Sequence, residues 1–308
     1  MTTTTQEGSI MSSSNMSKRG SNDFNVAPGQ EGRTDIGYEN LEVNVILWPD
    51  EDIVTKVLSK ASVAVRGNIV GDEQIDEAMV ADMFKGGLNQ ALEWFTVAFE
   101  VSGVSRGVTH QLVRTRKASF AQQSQRYADM GTFNVRMPIT MHSNHPFYSL
   151  DPDKYPGLYS MFFDQGNIEA SIEEVWRASM QIAREAYNFL ADRGLPMQDV
   201  RTVTPTAVET YIICEYPLSE FINTYAYRAC SMFYPETVAL FRLMREKLLV
   251  KCPWLEPILK ISCEKTRGGI NGLPHRCTYQ GWENVEGQCD FPWALEENRT
   301  FNSKKVEG

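Results

Sequence analysis

The sequence predicts an α+β fold, because strong helical patterns surround a few short strand patterns that do not follow one another along the chain. The clearest helix covers residues 171–193, where apolar side chains return to one broad face and Gly194 follows as a stop. Two further helices are expected at 218–228 and 235–251, and a proline opens the second. The strand patterns occupy residues 43–48, 93–101 and 211–214.

The other segments carry weaker local signals. Residues 1–40 are rich in Ser, Thr, Gly and Asn, and we expect a disordered tail because they offer too little apolar surface to offset chain entropy. Ordered structure is therefore expected from Val43 onwards. Additional helices are expected over 50–64, 72–87 and 105–116, a loop over 117–130, an irregular proline-rich insertion over about 131–168, and a polar tail over 268–308.

Composition limits the class of protein. The chain has 308 residues, 42% hydrophobic and 22% charged, with a net charge of −9, which is typical of a globular protein. No apolar run approaches the roughly 20 residues that cross a bilayer, and the N-terminus lacks a secretory signal. The acidic balance argues against a general nucleic-acid binder. We therefore expect a cytoplasmic protein that does not act on membranes or nucleic acids.

The six cysteines do not form a recognisable metal site. None is part of a CxxC pair, and all lie in the last third of the chain. The set Cys263, His275, Cys277 and Cys289 fits no common zinc spacing, so ordinary reduced thiols and no metal are expected.

The most informative stretch is a basic segment, residues 101–127. It contains no Asp or Glu but carries five cations: Arg106, Arg114, Arg116, Lys117 and Arg126. A charge of +5 within an acidic protein repels itself unless an anion is bound, and the arginine fork suits phosphate. The intervening polar side chains can hydrogen-bond a ring edge as well as a phosphate; they are Ser119, Gln122, Gln123, Ser124 and Gln125. A solvated basic face is the alternative, but the apolar Val108, Leu112 and Val113 around the cluster favour a site.

Arg114, Arg116 and Ser124 fit the signature Arg-His-Arg, seven residues, Ser, with Thr115 in place of His. Ser119, Arg126 and Tyr127 fit its longer form, while Ala121 and Gln122 stand where many members have Asn and Glu. Further matches are Arg201 with Pro205, the pair Asn223 and Arg228, and Glu236. On these residues the chain resembles the flavin-dependent thymidylate synthases, from about Gly86 to Trp254.

The resemblance implies a catalytic domain over 41–267, with helices around a small mixed or antiparallel sheet, that converts dUMP to dTMP. Methylenetetrahydrofolate and NADPH would be co-substrates, FAD the cofactor, and a homotetramer the assembly. Arg228 would be catalytic, as a cation beside the pyrimidine N3/O2 edge. The implied dUMP residues are Gln111, Arg114, Gln122, Gln123, Ser124, Gln125, Arg126, Arg201 and Arg228. The implied FAD residues are Gln90, Arg114, Thr115, Arg116, Gln122 and Asn223.

Two other functions stay open at this point. Thr115, Ala121, Pro217 and Phe233 depart from the family pattern, which suggests a related flavin-dependent one-carbon transfer to a pyrimidine nucleotide. A non-catalytic nucleotide-binding homologue that keeps only the phosphate-binding residues is the second alternative.

Overall fold

The computed structural model describes residues 32–66, 89–128, 130–142, 146–163, 169–230 and 233–261. The strands are β1 (Thr34–Ile36), β2 (Glu42–Leu47), β3 (Thr96–Ser105), β4 (Ser119–Gln122), β5 (Val135–Met137), β6 (Tyr148–Ser149), β7 (Glu169–Ala170) and β8 (Glu209–Pro217). The helices are α1 (Glu51–Arg66), α2 (Arg106–Leu112), α3 (Ile139–His142), α4 (Pro156–Phe163), α5 (Ile172–Asp192), α6 (Met197–Val200), α7 (Leu218–Arg228) and α8 (Pro235–Lys251). Single 3-10 segments cover Asn89–Trp94, Arg201–Val203 and Pro253–Leu255.

A four-stranded antiparallel sheet forms the centre, in the order β2-β3-β8-β4. The long strands β3 and β8 pair from Thr96 opposite Pro217 to Ser105 opposite Glu209, with one bulge between Val101 and Val104. Gly103 occupies that bulge at φ +69, and an added Cβ would lie 2.4 Å from the carbonyl oxygen of Asn40. Only glycine therefore fits where the β1–β2 connection crosses this sheet.

The main core lies between the sheet and helices α1, α2, α7 and α8. Phe221 on α7 is fully buried at its centre, with its ring centroid 4.9 Å from that of Phe99, 5.7 Å from Tyr216 and 6.4 Å from Phe241. Aromatic rings at such separations add to the free energy gained by burying their surface. These contacts hold α7, the helix that ends at Arg228, against the sheet.

A second cluster packs α5 against α6, against the segment just before β8 and against β5, which pairs in parallel with β1. Tyr187 is fully buried there, and its hydroxyl accepts a hydrogen bond from the Met130 amide at 3.1 Å. A capping box between Ser171 and Glu174 starts α5, and Gly194 at φ +76 follows its end.

The α+β class and the bounds of α7 and α8 are confirmed. The predicted start of ordered structure at Val43 is wrong, since β1 precedes it; Asp35 on β1 is buried through ion pairs that no local pattern reveals. The helix expected over 105–116 ends at Leu112, and part of the loop expected over 117–130 is β4, because its backbone pairs with β8.

The strand expected from Glu93 begins at Thr96 instead, after the 3-10 segment. The insertion over 131–168 contains short regular elements, β5, α3, β6 and α4. The helix expected over 72–87 and the tail over 268–308 lie outside the described residues. None of the helices in the described part is both long and apolar enough to cross a membrane.

Candidate functional site

The short helix α2 connects two groups of polar side chains. Ser105 caps its start, where the Ser105 hydroxyl accepts from the Val108 amide at 3.3 Å. Arg106 is its first residue, and Gln111 lies near its end. Five residues at ~1.5 Å rise separate them by about 7.5 Å along the helix axis. Val108 and Leu112 are buried between the two ends and fix the helix on the core.

At the start of α2 lies the arginine cluster, formed by Arg106, Arg126 and Arg201. Arg106 donates from Nη2 to the Gln123 carbonyl at 2.7 Å. Arg126 donates to the Gln198 side chain at 3.5 Å, and Arg201 donates to the Gln198 carbonyl at 3.2 Å. Gln198 therefore lies beside both exposed arginines, so side chains from distant parts of the chain form one positive surface.

Arg106 is the least solvated member of this cluster. Its Nε is buried and has no hydrogen-bond partner among the described residues. Burial lowers the pKa of Arg106, and the nearby charge of Arg201 lowers it further. Two adjacent like charges without a carboxylate among the described residues, one of them with an unused buried donor, are an arrangement that a bound anion would stabilise.

The glutamines around this cluster are largely engaged within the fold. Gln122 donates to the Thr109 hydroxyl at 2.8 Å, next to the cluster on α2. Gln125 is 9% exposed and donates at 3.1 Å to the Thr204 hydroxyl, which itself donates to the Arg201 carbonyl. The loop that carries Arg201 is thus tied to the loop that follows β4. Ser124 lies in that loop, and its hydroxyl accepts from the Arg126 amide at 3.2 Å.

At the far end of α2 lies the Gln111–Arg228 pair. Arg228, the last residue of α7, donates from Nη1 to the Gln111 side-chain oxygen at 3.4 Å. Its guanidinium also lies 5.3 Å from the centre of the Phe233 ring. Both side chains of the pair are half-buried, so Arg228 is oriented by two neighbours yet open on one side.

A third group of predicted site residues is more exposed. Arg114 and Arg116 follow α2 and have no acidic partner among the described residues, and Thr115 between them is half-buried. Gln90 and Asn223 are exposed, on the 3-10 segment Asn89–Trp94 and on α7, which pack against each other. No hydrogen bond or ion pair in the described part joins the side chains of Gln90, Arg116 or Asn223 to the other two groups.

One of the five cations in the basic segment has an acidic partner from outside the segment. Lys117 Nζ lies 3.2 Å from Glu93 Oε1 in an exposed ion pair. Glu93 precedes the segment in sequence but reaches it in the fold, so Lys117 is paired with a carboxylate.

A buried ionic network lies behind α2, and no local pattern in the sequence predicts it. Arg136 on β5 has a fully buried side chain and lies within 4 Å of three carboxylates: Glu209 at 2.9 Å, Glu236 at 3.6 Å and Asp35 at 3.8 Å. A single charge of either sign would be costly at this depth, but the pairs and hydrogen bonds compensate one another.

The carboxylates of this network differ in their affinity for protons. Burial raises the pKa of Glu209 to about 8, despite the opposing charge of Arg136. Burial also raises the pKa of Glu236, against the hydrogen bonds from Ser105. Burial disfavours the charged form of Asp35 too, but hydrogen bonds from Arg33, Glu209 and Asn40 outweigh it and hold its pKa below the usual value. With a pKa of about 8, Glu209 is mainly protonated near neutral pH.

Glu236 also lines a mainly apolar pocket of about 320 Å³. Its walls come from the β1–β2 turn, the start of α3 and the start of α8, and include Tyr38, Ile139 and Tyr234. None of the predicted nucleotide or flavin residues lines it, so it is separate from the two groups at the ends of α2.

Comparison with known proteins assigns the family. The model of the family described as "thymidylate synthase complementing protein" matches residues 49–254. The flavin-dependent thymidylate synthase of Sulfurisphaera tokodaii is 30% identical over 204 residues, which are 65% of this chain and 69% of that protein. The chain belongs to the flavin-dependent thymidylate synthase family. The family member from Geobacter sulfurreducens is 33% identical over 146 residues, 47% of this chain. That match spans about half of the relative, 52% of its length.

A solved structure gives the same fold. The UMP/dUMP methylase PolB from Streptomyces cacaoi, bound with 5-Br dUMP, superposes with a TM-score of 0.53 at 16% identity. The match covers 76% of this chain and 100% of that one.

Two residues at the start of α7, Pro217 and Ser219, depart from the family pattern, and Ser219 is buried at 8% exposure. Ser219 thus serves packing, whereas Arg106 joins the arginine cluster although the resemblance did not single it out.

Proposed function

We propose that this protein is an FAD-dependent enzyme that methylates dUMP to dTMP, with methylenetetrahydrofolate as carbon donor and NADPH as reductant. The observation that carries the proposal is the pair of cationic groups at the two ends of α2. One end offers three arginines with no carboxylate from the described residues, and the other offers a single oriented arginine beside an amide. A mononucleotide has the matching arrangement, with a phosphate at one end and a polar ring at the other.

The phosphate of dUMP would bind in the arginine cluster. Arg106, Arg126 and Arg201 supply charge, and the Ser124 hydroxyl lies in the same loop as Arg126. The amides of Gln123 and Gln125 belong to this loop, which Gln125 ties to the loop of Arg201. Charge-assisted hydrogen bonds to phosphate are the strong ones among protein contacts, so this end would dominate affinity.

The uracil ring would lie beside the Gln111–Arg228 pair. Carbon C5 must become electron-rich before it attacks a one-carbon unit, and negative charge then develops at the N3/O2 edge. A guanidinium fixed at that edge stabilises the charge as it forms, and no reorganisation is needed because Phe233 and Gln111 already orient it. Arg228 is thereby the catalytic residue, and Gln111 and Arg114 contribute to binding the ring and sugar.

The exposed third group fits a phosphate-bearing cofactor. Arg114 and Arg116 are unpaired within the described part, and Gln90 and Asn223 present amides on two elements that pack together. We assign FAD to this group, with Thr115 and Gln122 at its edge. When bound there, reduced FAD supplies the hydride that completes the methyl group. The exposure of these residues fits a site that neighbouring subunits complete in a homotetramer. A cytoplasmic location suits these substrates.

The test is turnover by the purified protein, with absorbance reporting flavin and mass spectrometry reporting the nucleotide product. We expect bound flavin and a product 14 mass units heavier than dUMP, about the mass of one CH₂, formed only with methylenetetrahydrofolate and NADPH. A colourless protein that binds dUMP without turnover would support the non-catalytic alternative. A different product mass would support another one-carbon transfer.

Arg228→Ala separates the catalytic role from binding. We expect the variant to retain flavin and to lose turnover of dUMP by about 10²–10³-fold, the usual cost of removing one group that stabilises transition-state charge. Arg177→Ala is the matched control, because Arg177 is an arginine on α5 that pairs only with Glu173 among the described residues. Equal activity of both variants would refute the role of Arg228.

A further inference from the structure

We propose that Glu236 is a positioning residue that fixes the start of α2 and thereby sets the spacing between the arginine cluster and the Gln111–Arg228 pair. The inference rests on the proposed function, because it assumes that one nucleotide spans both groups. Glu236 contacts neither group itself. It acts through Ser105, the residue that caps α2.

The contact between Glu236 and Ser105 is close and complete. The Ser105 amide donates to Glu236 Oε1 at 2.6 Å, and the Ser105 hydroxyl donates to Oε2 at 2.7 Å. Both carboxylate oxygens are therefore used on one residue, and Glu236 is 3% exposed. A bidentate, buried contact of this kind permits little movement of Ser105 in any direction.

Arg136 prevents the carboxylate of Glu236 from moving. Its Nε lies 3.6 Å from Glu236 Oε1 and donates to the Gly103 carbonyl at 2.7 Å. The other guanidinium nitrogens donate to the Gly37 carbonyl at 3.0 Å and to Glu209 at 2.9 Å. Arg136 is thus held from four sides with no solvent contact, and the position of Glu236 is fixed by the sheet as well as by α8.

Glu236 also links the position of α2 to the position of α7, the helix that carries Arg228. It lies in the first turn of α8, whose buried face packs on α7 in the main core. The backbone amides at a helix start favour a carboxylate there. Because α7 ends at Arg228 and α2 carries both Arg106 and Gln111, a shift at Ser105 changes the distance between the groups that a nucleotide would bridge. Misplacement by about 1 Å can cost about 100-fold in a site of this kind.

The experiment compares a ligand that spans both groups with ligands that occupy one. Dissociation constants are measured for dUMP, deoxyuridine and inorganic phosphate with the full chain. We expect Glu236→Ala to weaken dUMP by about 10- to 100-fold, and each fragment by less than about 3-fold, because only dUMP needs the correct spacing. Glu236→Gln keeps an acceptor for the Ser105 amide and should restore most of the affinity.

The control variant is Thr237→Val. Thr237 is the next residue, fully buried, and its hydroxyl has no partner in the described part, so a similar-sized apolar side chain should leave all three affinities unchanged. If Glu236→Ala does not fold, Ser105→Ala is the second variant; it removes the hydroxyl bond to Glu236 together with the cap on the Val108 amide, and it is expected to show the same selective loss.

Hydrogen exchange separates this inference from the proposed function. In the absence of ligand, the amides of residues 108–112 should exchange faster in Glu236→Ala than in the wild type, and Glu236→Gln should stay close to the wild type. Unchanged exchange, or an equal loss of affinity for dUMP and for its fragments, would overturn the positioning role. A wild-type protein that binds no dUMP would refute the proposed function, and the exchange rates would still decide whether Glu236 holds α2.

Discussion

Replacing Arg106 with methionine should separate nucleotide affinity from stability. The substitution removes the guanidinium but keeps a long, flexible side chain. Arg106 is half-buried beside Arg201, and its Nε has no partner among the described residues. The free protein therefore keeps a charge in an unfavourable environment, which a bound anion would relieve.

The magnitudes follow from the contacts. A charge-assisted hydrogen bond to phosphate contributes about 1.5–3 kcal/mol, so its loss should weaken dUMP binding by about 10- to 100-fold. Arg106→Met also has two opposite effects on the free energy of unfolding. Loss of the hydrogen bond to the Gln123 carbonyl lowers it, and removal of a buried, unsatisfied donor raises it, each by about 1–3 kcal/mol. We expect the free energy of unfolding to change by less than about 1 kcal/mol.

Calorimetric titration with dUMP and with deoxyuridine measures the first effect, and urea denaturation the second. Only dUMP affinity should fall, since deoxyuridine has no phosphate, and the fall should shrink at high salt. Arg177→Met, on the surface of α5, is the control. A similar loss for both ligands, or a large loss of stability, would refute the assignment of Arg106 to the phosphate.

Two further predictions concern buried groups. Because burial raises the pKa of Glu209 to about 8, the folded protein holds a proton that the unfolded chain releases above about pH 4.5, so stability should fall as pH rises from about 5 to 8. Thermal unfolding of Glu209→Gln should show a weaker pH dependence across that range, and an unchanged profile would contradict the assigned protonation. Tyr216 is fully buried with a hydroxyl that has no partner in the described part, so Tyr216→Phe should raise the free energy of unfolding by about 1 kcal/mol in denaturant titrations, whereas a decrease would indicate a hidden hydrogen bond.

The sequence predicted the elements whose signals are local. The bounds of α7 and α8 follow from a proline and apolar spacing, and those of α5 from Ser171 and Gly194. The basic segment likewise predicted a cationic site, because charge composition needs no knowledge of the fold. In the structure Arg126 and Arg201 both contact Gln198, and Arg228 contacts Gln111. The resemblance assigned these residues to one ligand, and that assignment stays a prediction.

What the sequence could not predict depends on distant partners. β4 has no strong strand pattern, and it is a strand because its backbone completes the edge of β8. Arg136 lies in a proline-rich stretch, and its contact with Gly37 joins residues 99 positions apart. Lys117 likewise pairs with Glu93, which lies outside the basic segment in the sequence. Such contacts are set by tertiary packing, and no window of neighbouring residues contains them.

Because α2 is short, its stability depends on the contacts that surround it. Seven residues make about two turns, and a helix of that length does not persist in water by itself. It exists because the Ser105 cap and the buried Val108 and Leu112 retain it. Local melting of this one segment would displace both cationic groups together, so the free energy that holds α2 would be linked to the affinity for any ligand that contacts both groups.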